Sequence, residues 1–182
     1  DSVASRGLGD VYKRQAHIRT HADITPGFGL SALEGVLAAR EAHAGAASVQ
    51  VVAFPQAGVM RAGGKPMLDL LDAAIGAGAE LVGGIDPCEV DRDPHGQLDG
   101  IFAIAEKRGV GVDIHLHEPG ELGLFSLQEI CARVRAHGMA GRATISHGFC
   151  LGAITESKQK ATAELMASCG VALVTHGAGN AT

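Results

Sequence analysis

Six short runs of β-branched and apolar residues recur along the chain: 17–24 (HIRTHADI), 49–54 (VQVVAF), 79–85 (AELVGGI), 110–116 (VGVDIHL), 142–147 (RATISH) and 171–176 (VALVTH). With Thr20, Val51, Val82, Asp113, Thr144 and Leu173 as equivalent centres, successive spacings are 31, 31, 31, 31 and 29 residues. Most of the runs are dense in apolar residues rather than cleanly alternating. That is the pattern of parallel strands covered on both faces. Between them, segments 30–44, 66–79, 97–109, 126–138 and 156–170 carry apolar residues at three-to-four spacing, which predicts helices. Pro66 suits a first helical position, Ser126 and Thr155 are candidate caps, and Gly109, Gly138 and Gly170 mark stops. Strand–helix units repeated without a break predict an α/β fold with a parallel sheet.

Two architectures accommodate such a repeat. A doubly wound sheet is complete at five or six strands, whereas a (β/α)8 barrel of ~250 residues averages about 31 per unit. The periodicity alone does not separate them. Neither G-x-G-x-x-G nor G-x-x-x-x-G-K-[ST] follows the first strand, so the doubly wound case gains nothing from nucleotide fingerprints. The placement of reactive side chains is what decides. His21 and Asp23 end the first run, Gln56 and Asp86 follow the second and third, and His115, His117 and Glu118 end the fourth. His147 ends the fifth and His176 the sixth. In a barrel these ends converge on one face. The expectation is therefore a partial (β/α)8 barrel of about six units spanning residues 16–182.

Composition narrows the partners. Apolar residues make up 46% and aromatics 3%, so the core is expected to be built from Ala, Val, Ile and Leu. The net charge of −5, with no Lys/Arg cluster, argues against nucleic acid. No apolar run approaches the ~20 residues of a bilayer span, and a cytoplasmic protein is expected. The four cysteines are scattered without a C-x-x-C pair, which excludes the usual structural zinc patterns and leaves buried, inert thiols. Residues 1–15 lack apolar periodicity and read as a non-native extension.

The strongest chemical element is Asp113-Ile-His-Leu-His-Glu118. His115 and His117 are two residues apart on a strand and so point to one side. Imidazoles at that spacing can ligate a divalent metal, with a carboxylate just beyond to move protons. The plainer reading is two hydrogen-bonded histidines and a solvated acid, but the array of strand-end groups favours chemistry. His147 reads as a general base or a core histidine. Gln56, after Phe54-Pro55, reads as a turn residue or as a reader of a polar substrate edge. His21 and Asp23 read as support for the barrel mouth. The five lysines all lie away from strand ends, against a Schiff-base aldolase, and no G-x-S-x-G elbow is present.

These motifs, in their order, resemble the cytosine-deaminase branch of the metal-dependent amidohydrolases and are similar to the N-isopropylammelide isopropylaminohydrolases. The resemblance is carried by Ile18-Arg-Thr-His-Ala-Asp23, Val52-Ala-Phe-Pro-Gln56, Leu81-Val-Gly-Gly84, Val112-Asp-Ile-His-Leu-His-Glu118 and Thr144-Ile-Ser-His147. It implies a hydrolytic deaminase of cytosine or a related aminated N-heterocycle. In that reading His115 is a metal ligand, Glu118 the proton shuttle, His147 a catalytic histidine and Gln56 a substrate-binding residue. One iron or zinc ion is the implied cofactor and a small heterocycle the partner.

Two departures follow from the same resemblance. His117 stands where bacterial cytosine deaminases carry aspartate. Three of the four metal-ligand positions fall outside these 182 residues, so the chain is expected to bind metal poorly and to be inactive by itself. Its first and last strands would be unpaired edges near Ile18 and Val174, which predicts self-association, including homo-oligomers. The reading from another class is a non-catalytic six-unit α/β module that captures a metal or ligand through His115 and His117.

Overall fold

A computed structural model describes residues 17–175. The chain runs β1 (His17–Asp23), α1 (Ser31–Ala42), β2 (Ser48–Phe54), α2 (Lys65–Gly76), β3 (Leu81–Ile85), α3 (Pro94–Arg108), β4 (Gly111–Leu116), α4 (Gly120–Ala136), β5 (Ala143–His147), a 3-10 turn (Phe149–Ala153), α5 (Glu156–Cys169) and β6 (Val171–Val174). The strands form one sheet in the order β1-β2-β3-β4-β5-β6, and every neighbouring pair is parallel. The chain is a curled part of a (β/α)8 barrel, as its rhythm predicts. Residues 1–15 and His176 lie outside the described residues.

The register explains which face is which. Arg19 pairs with Gln50, Val52 with Leu81, Gly83 with Asp113, Asp113 with Thr144 and Ser146 with Val174. Side chains alternate along a strand, so Arg19, His21, Gln50, Phe54, Asp113, His115, Thr144 and Ser146 share the concave face. Val51, Ala53, Val82, Val112, Ile114 and Ile145 share the other and are fully buried under the helices. The apolar core therefore lies between sheet and helices, while much of the concave face is polar.

Curvature follows from distances across the sheet. Strands lie ~4.8 Å apart, so a flat sheet would place β1 about 14 Å from β4. Yet Arg19 Nη1 lies 2.7 Å from Asp113 Oδ2, and the rings of His21 and His115 are centred 4.6 Å apart. Only a sheet rolled around its concave face brings the first and fourth strands that close.

The helix boundaries differ from the sequence reading in one informative place. α4 starts at Gly120 rather than Ser126. Two glycines in its first turn resemble a loop, but Gly123 is required there: a Cβ would lie 2.1 Å from the Glu118 carbonyl oxygen. Ser126 is thus no cap. It is buried within the helix and its hydroxyl donates to Glu118. Thr155 does occupy the N-cap position of α5, without a capping side-chain bond to the backbone. Gly109 and Gly170 end α3 and α5 in the left-handed conformation, as anticipated.

The expected edges are present: β1 and β6 end the sheet, with Ile18 44% and Val174 54% exposed. Among the described residues no helix is long and apolar enough to cross a membrane. At the sheet centre, a Cβ on Gly83 would meet the Ala53 carbonyl oxygen at 2.7 Å and the Phe54 Cα at 3.0 Å. Both are backbone atoms of the adjoining strand. Gly83→Ala is therefore expected to cost about 1–3 kcal/mol in chemical denaturation, whereas Gly45→Ala, whose Cβ meets nothing within 4 Å, should change stability far less.

Candidate active site

The floor of the concave face is a buried carboxylate. Asp113 is fully enclosed; its Oδ2 accepts from Arg19 at 2.7 Å and its Oδ1 from the Ser146 hydroxyl at 2.8 Å. Arg19 also donates to Thr144 and Gln50, so one guanidinium spans β2, β4 and β5. His21 Nε2 stands 3.7 Å from Asp113 Oδ1, beyond hydrogen-bond range but close enough to feel its charge. Burial pushes the Asp113 pKa up, while the His21 imidazole, the Ser146 hydroxyl and Arg19 pull it down. The pull prevails, and the carboxyl sits below its ordinary range.

A stack of rings lies above this floor. His115 meets His21 at 4.6 Å, Phe54 at 4.5 Å and His147 at 4.9 Å, and His147 meets His117 at 4.5 Å. Burial, then the neighbouring His21, holds the His115 pKa down to about 4. Its imidazole is neutral at pH 7, the form that ligates metal. His147 is held at the end of β5 with φ 74°, a left-handed conformation that a non-glycine residue adopts only where its surroundings enforce it.

Two more carboxylates fix the wall between β3 and β4. Asp86, also left-handed at φ 34°, accepts from the His117 amide at 2.6 Å and lies 2.7 Å from His117 Nδ1. One acid thereby orients both the backbone and the ring of His117. Glu118 is fully buried. Its Oε1 accepts from the amides of Cys88 (2.6 Å) and Glu89 (2.9 Å), and its Oε2 accepts from Ser126. Burial raises its pKa, only partly offset by those donors. Asp113, on the concave face, is thus a carboxyl pushed down, and Glu118, beside the β3–α3 loop at the same end of the sheet, is one pushed up, a division that suits acid–base work.

The donors for a metal fit as well. One ligand atom from each of His21, Asp113 and His115 lies within 4.8 Å of the others. His115 Nδ1 is buried without a hydrogen-bond partner. Imidazole plus carboxylate is the chemistry of catalytic zinc and non-haem iron sites.

The structure brings three of the four singled-out residues to this end of the sheet in different ways. His115 and His147 are in ring contact. Glu118 follows them on the chain but is turned into the β3–α3 loop rather than toward the rings. Gln56 sits exposed on the loop after β2. Sequence reasoning gave His21 a supporting role, read Ser126 only as a helix cap, and gave Asp113 and Asp86 no individual role. For Asp113 a signal was available, because Asp-x-His places carboxylate and imidazole on one strand face.

The Amidohydrolase family profile matches residues 14–180. The chain belongs to the amidohydrolase family. It is 33% identical over 134 residues to N-isopropylammelide isopropyl amidohydrolase of Pseudomonas sp. (strain ADP), covering 74% of this chain and 33% of that protein. Among solved structures, N-isopropylammelide isopropylaminohydrolase from Burkholderia multivorans ATCC 17616 matches with a TM-score of 0.85 and 46% identity, over 88% of this amidohydrolase chain and 40% of that one. The 5-methylcytosine deaminase of Klebsiella pneumoniae liganded with phosphonocytosine matches with a TM-score of 0.77 and 28% identity, over 93% and 41%. The chain thus spans a third to two fifths of the length of these relatives. Together they make it a cytosine-deaminase-like member of the superfamily.

The Glu118 pocket makes a stability prediction for this amidohydrolase chain. Glutamine can accept from both amides and donate to Ser126, so Glu118→Gln is expected to melt within about 1 kcal/mol of the parent. Glu118→Ala takes the acceptor from the amides of Cys88 and Glu89 and from the buried Ser126 hydroxyl, and is expected to lose about 2–4 kcal/mol. Urea denaturation of the two variants side by side reads the difference.

Proposed function

We propose that this chain supplies the acid–base half of a metal-dependent hydrolytic deaminase acting on cytosine or a related aminated N-heterocycle. One observation carries the proposal above the others: a neutral His115 and the enforced conformation of His147 share one end of the sheet with a buried carboxyl of raised pKa, Glu118. The relatives' names, an N-isopropylammelide isopropylaminohydrolase and a 5-methylcytosine deaminase, point to the same kind of chemistry.

His115 would hold one iron or zinc ion. When bound, that ion supplies Lewis acidity and an activated water at neutral pH. The chain's own residues do the rest. Glu118 takes a proton from the attacking water, gives it to the ring nitrogen, and assists departure of ammonia or an amine. To do so its Oε2 exchanges the Ser126 hydroxyl for substrate. His147 stands beside the attacking water and stabilises the charge that develops there. Gln56, on the rim, pairs with the amide edge of the ring. The Asp86–His117 pair replaces the single aspartate of bacterial cytosine deaminases, which favours rings other than cytosine itself.

The test is release of ammonia or isopropylamine from cytosine, 5-methylcytosine and N-isopropylammelide, using protein translated from its whole reading frame and loaded with Zn²⁺ or Fe²⁺. Turnover of at least one substrate is expected. Glu118→Gln should keep its metal and lose about 10³-fold in kcat, within the usual reach of a general acid–base group. Metal uptake with no turnover would favour the ligand-binding module instead, and a fully active Glu118→Gln would remove Glu118 from the mechanism.

A further inference from the structure

Arg19, Arg40, Arg108 and Arg133 each lie against an acid: Asp113, Glu80, Asp72 and Asp99 in turn. Arg61 and Arg92 do not. Neither guanidinium has a hydrogen bond or ion pair among the described residues. Yet both line one open cavity of about 430 Å³, together with Met60, Val90 and Asp91. Asp91 is what sets them side by side. Its buried carboxylate accepts from the amides of Val59 (2.9 Å), Met60 (3.0 Å) and Arg61 (3.2 Å) and from the Gln97 side chain (2.7 Å). A Cβ on Gly58 would lie 2.2 Å from the same carboxylate, so the β2–α2 connection is folded directly onto it. Arg61 is thus tied through its own amide to the residue that precedes Arg92.

That arrangement leaves charge unbalanced. Two guanidiniums on fixed neighbouring backbones repel each other. Among the lining residues Asp91 is the acid, and both its oxygens are already taken by neutral donors. Its single charge faces two. Asp93, the next acid along the chain, lies outside the lining and accepts from the Gly96 amide as the cap of α3. We propose that Arg61 and Arg92 form a binding site for one small oxyanion of the phosphate or carboxylate class, held between the β2–α2 and β3–α3 connections. A guanidinium is a planar fork of donors that matches the paired oxygens of such groups, and the bonds it makes to them are charge-assisted. A metal ion is not the occupant, because the guanidiniums repel it and the oxygens of Asp91 are filled.

The cleft is separate from the concave face and depends on no step of the proposed hydrolysis. It nonetheless lies at the same end of the sheet. The β2–α2 connection carries Gln56, and the β3–α3 connection carries the Cys88 and Glu89 amides that hold Glu118. An oxyanion bridging Arg61 and Arg92 clamps one connection to the other and steadies the segment against which Glu118 rests.

The experiment is calorimetric titration with inorganic phosphate, and separately with acetate, at constant ionic strength in chloride. It uses protein translated from its whole reading frame, kept metal-free by a chelator. Saturable uptake of one equivalent is expected, and the tighter of the two anions assigns the class. Arg61→Gln and Arg92→Gln should each weaken that binding at least about tenfold, the worth of a hydrogen bond to a charged group. Both side chains are exposed and unbonded, so neither variant should shift the melt. Arg142→Gln, at an exposed arginine outside the cleft, makes the same change in net charge and should leave the affinity as it was. No saturable uptake of either anion overturns the proposal. So does parental affinity in both glutamine variants, or an equal loss in Arg142→Gln.

Discussion

A carboxylate with no access to water dominates this molecule. Asp113 sits on the fourth strand, facing inward, at a depth where an ion without partners would cost several kcal/mol. The donors that compensate it come from other strands: Arg19 from β1 and Ser146 from β5. Arg19 can serve only if β1 approaches β4, which a flat sheet forbids. The need to satisfy one buried charge and the rolling of the sheet are thus the same constraint seen at two scales. The guanidinium then passes the constraint on, because its remaining donors fix Gln50 and Thr144.

What lies above that floor inherits its properties. The rings of His21, His115, His117 and His147 gather at one end of the sheet at centroid separations of 4.5–5.7 Å between contacting neighbours. Packed so closely they desolvate one another, and His115 stays neutral as a consequence. The two other acids act on the rim rather than the floor. Asp86 aims His117, and Glu118 ties the β3–α3 loop to α4 through Cys88, Glu89 and Ser126. Glu118 meets only neutral donors, so burial wins and its pKa rises, whereas Asp113 faces His21, the Ser146 hydroxyl and the Arg19 guanidinium together and its pKa falls. The contrast comes from partners, since both side chains are fully enclosed.

The sequence made the repeat legible because each unit spends about the same number of residues crossing the sheet and returning. It made the site legible because strand ends converge in any barrel, so His115 and His147 could be grouped without knowing the curvature. What it hid has a common cause. Arg19, Gln50 and Thr144 look like ordinary strand residues until the register sets them on one face, and no local pattern says that β1 meets β4. Ser126 looked like a cap because Gly120 and Gly123 before it resemble a loop. Only the close approach of Glu118 explains why helix continues through them. His21 read as support for the same reason: its partners are 92 and 94 residues away in the chain.

The same network divides the sheet into unequal parts. β2, β3, β4 and β5 lie inside the sheet and are buried over much of their length. β1 and β6 are edges whose outer residues, Ile18, Leu173 and Val174, remain 39–54% exposed. Edges open first in local unfolding, since few contacts must be lost. Yet β1 carries both Arg19 and His21, so two of the three side chains that face Asp113 ride on an edge strand. Anything that draws His21 toward Asp113 and His115 fastens that edge to the centre. A ligand bound to the native arrangement and not to the opened one stabilises it by mass action. In this chain the satisfaction of Asp113 and the anchoring of the first strand are therefore coupled through Arg19 and His21.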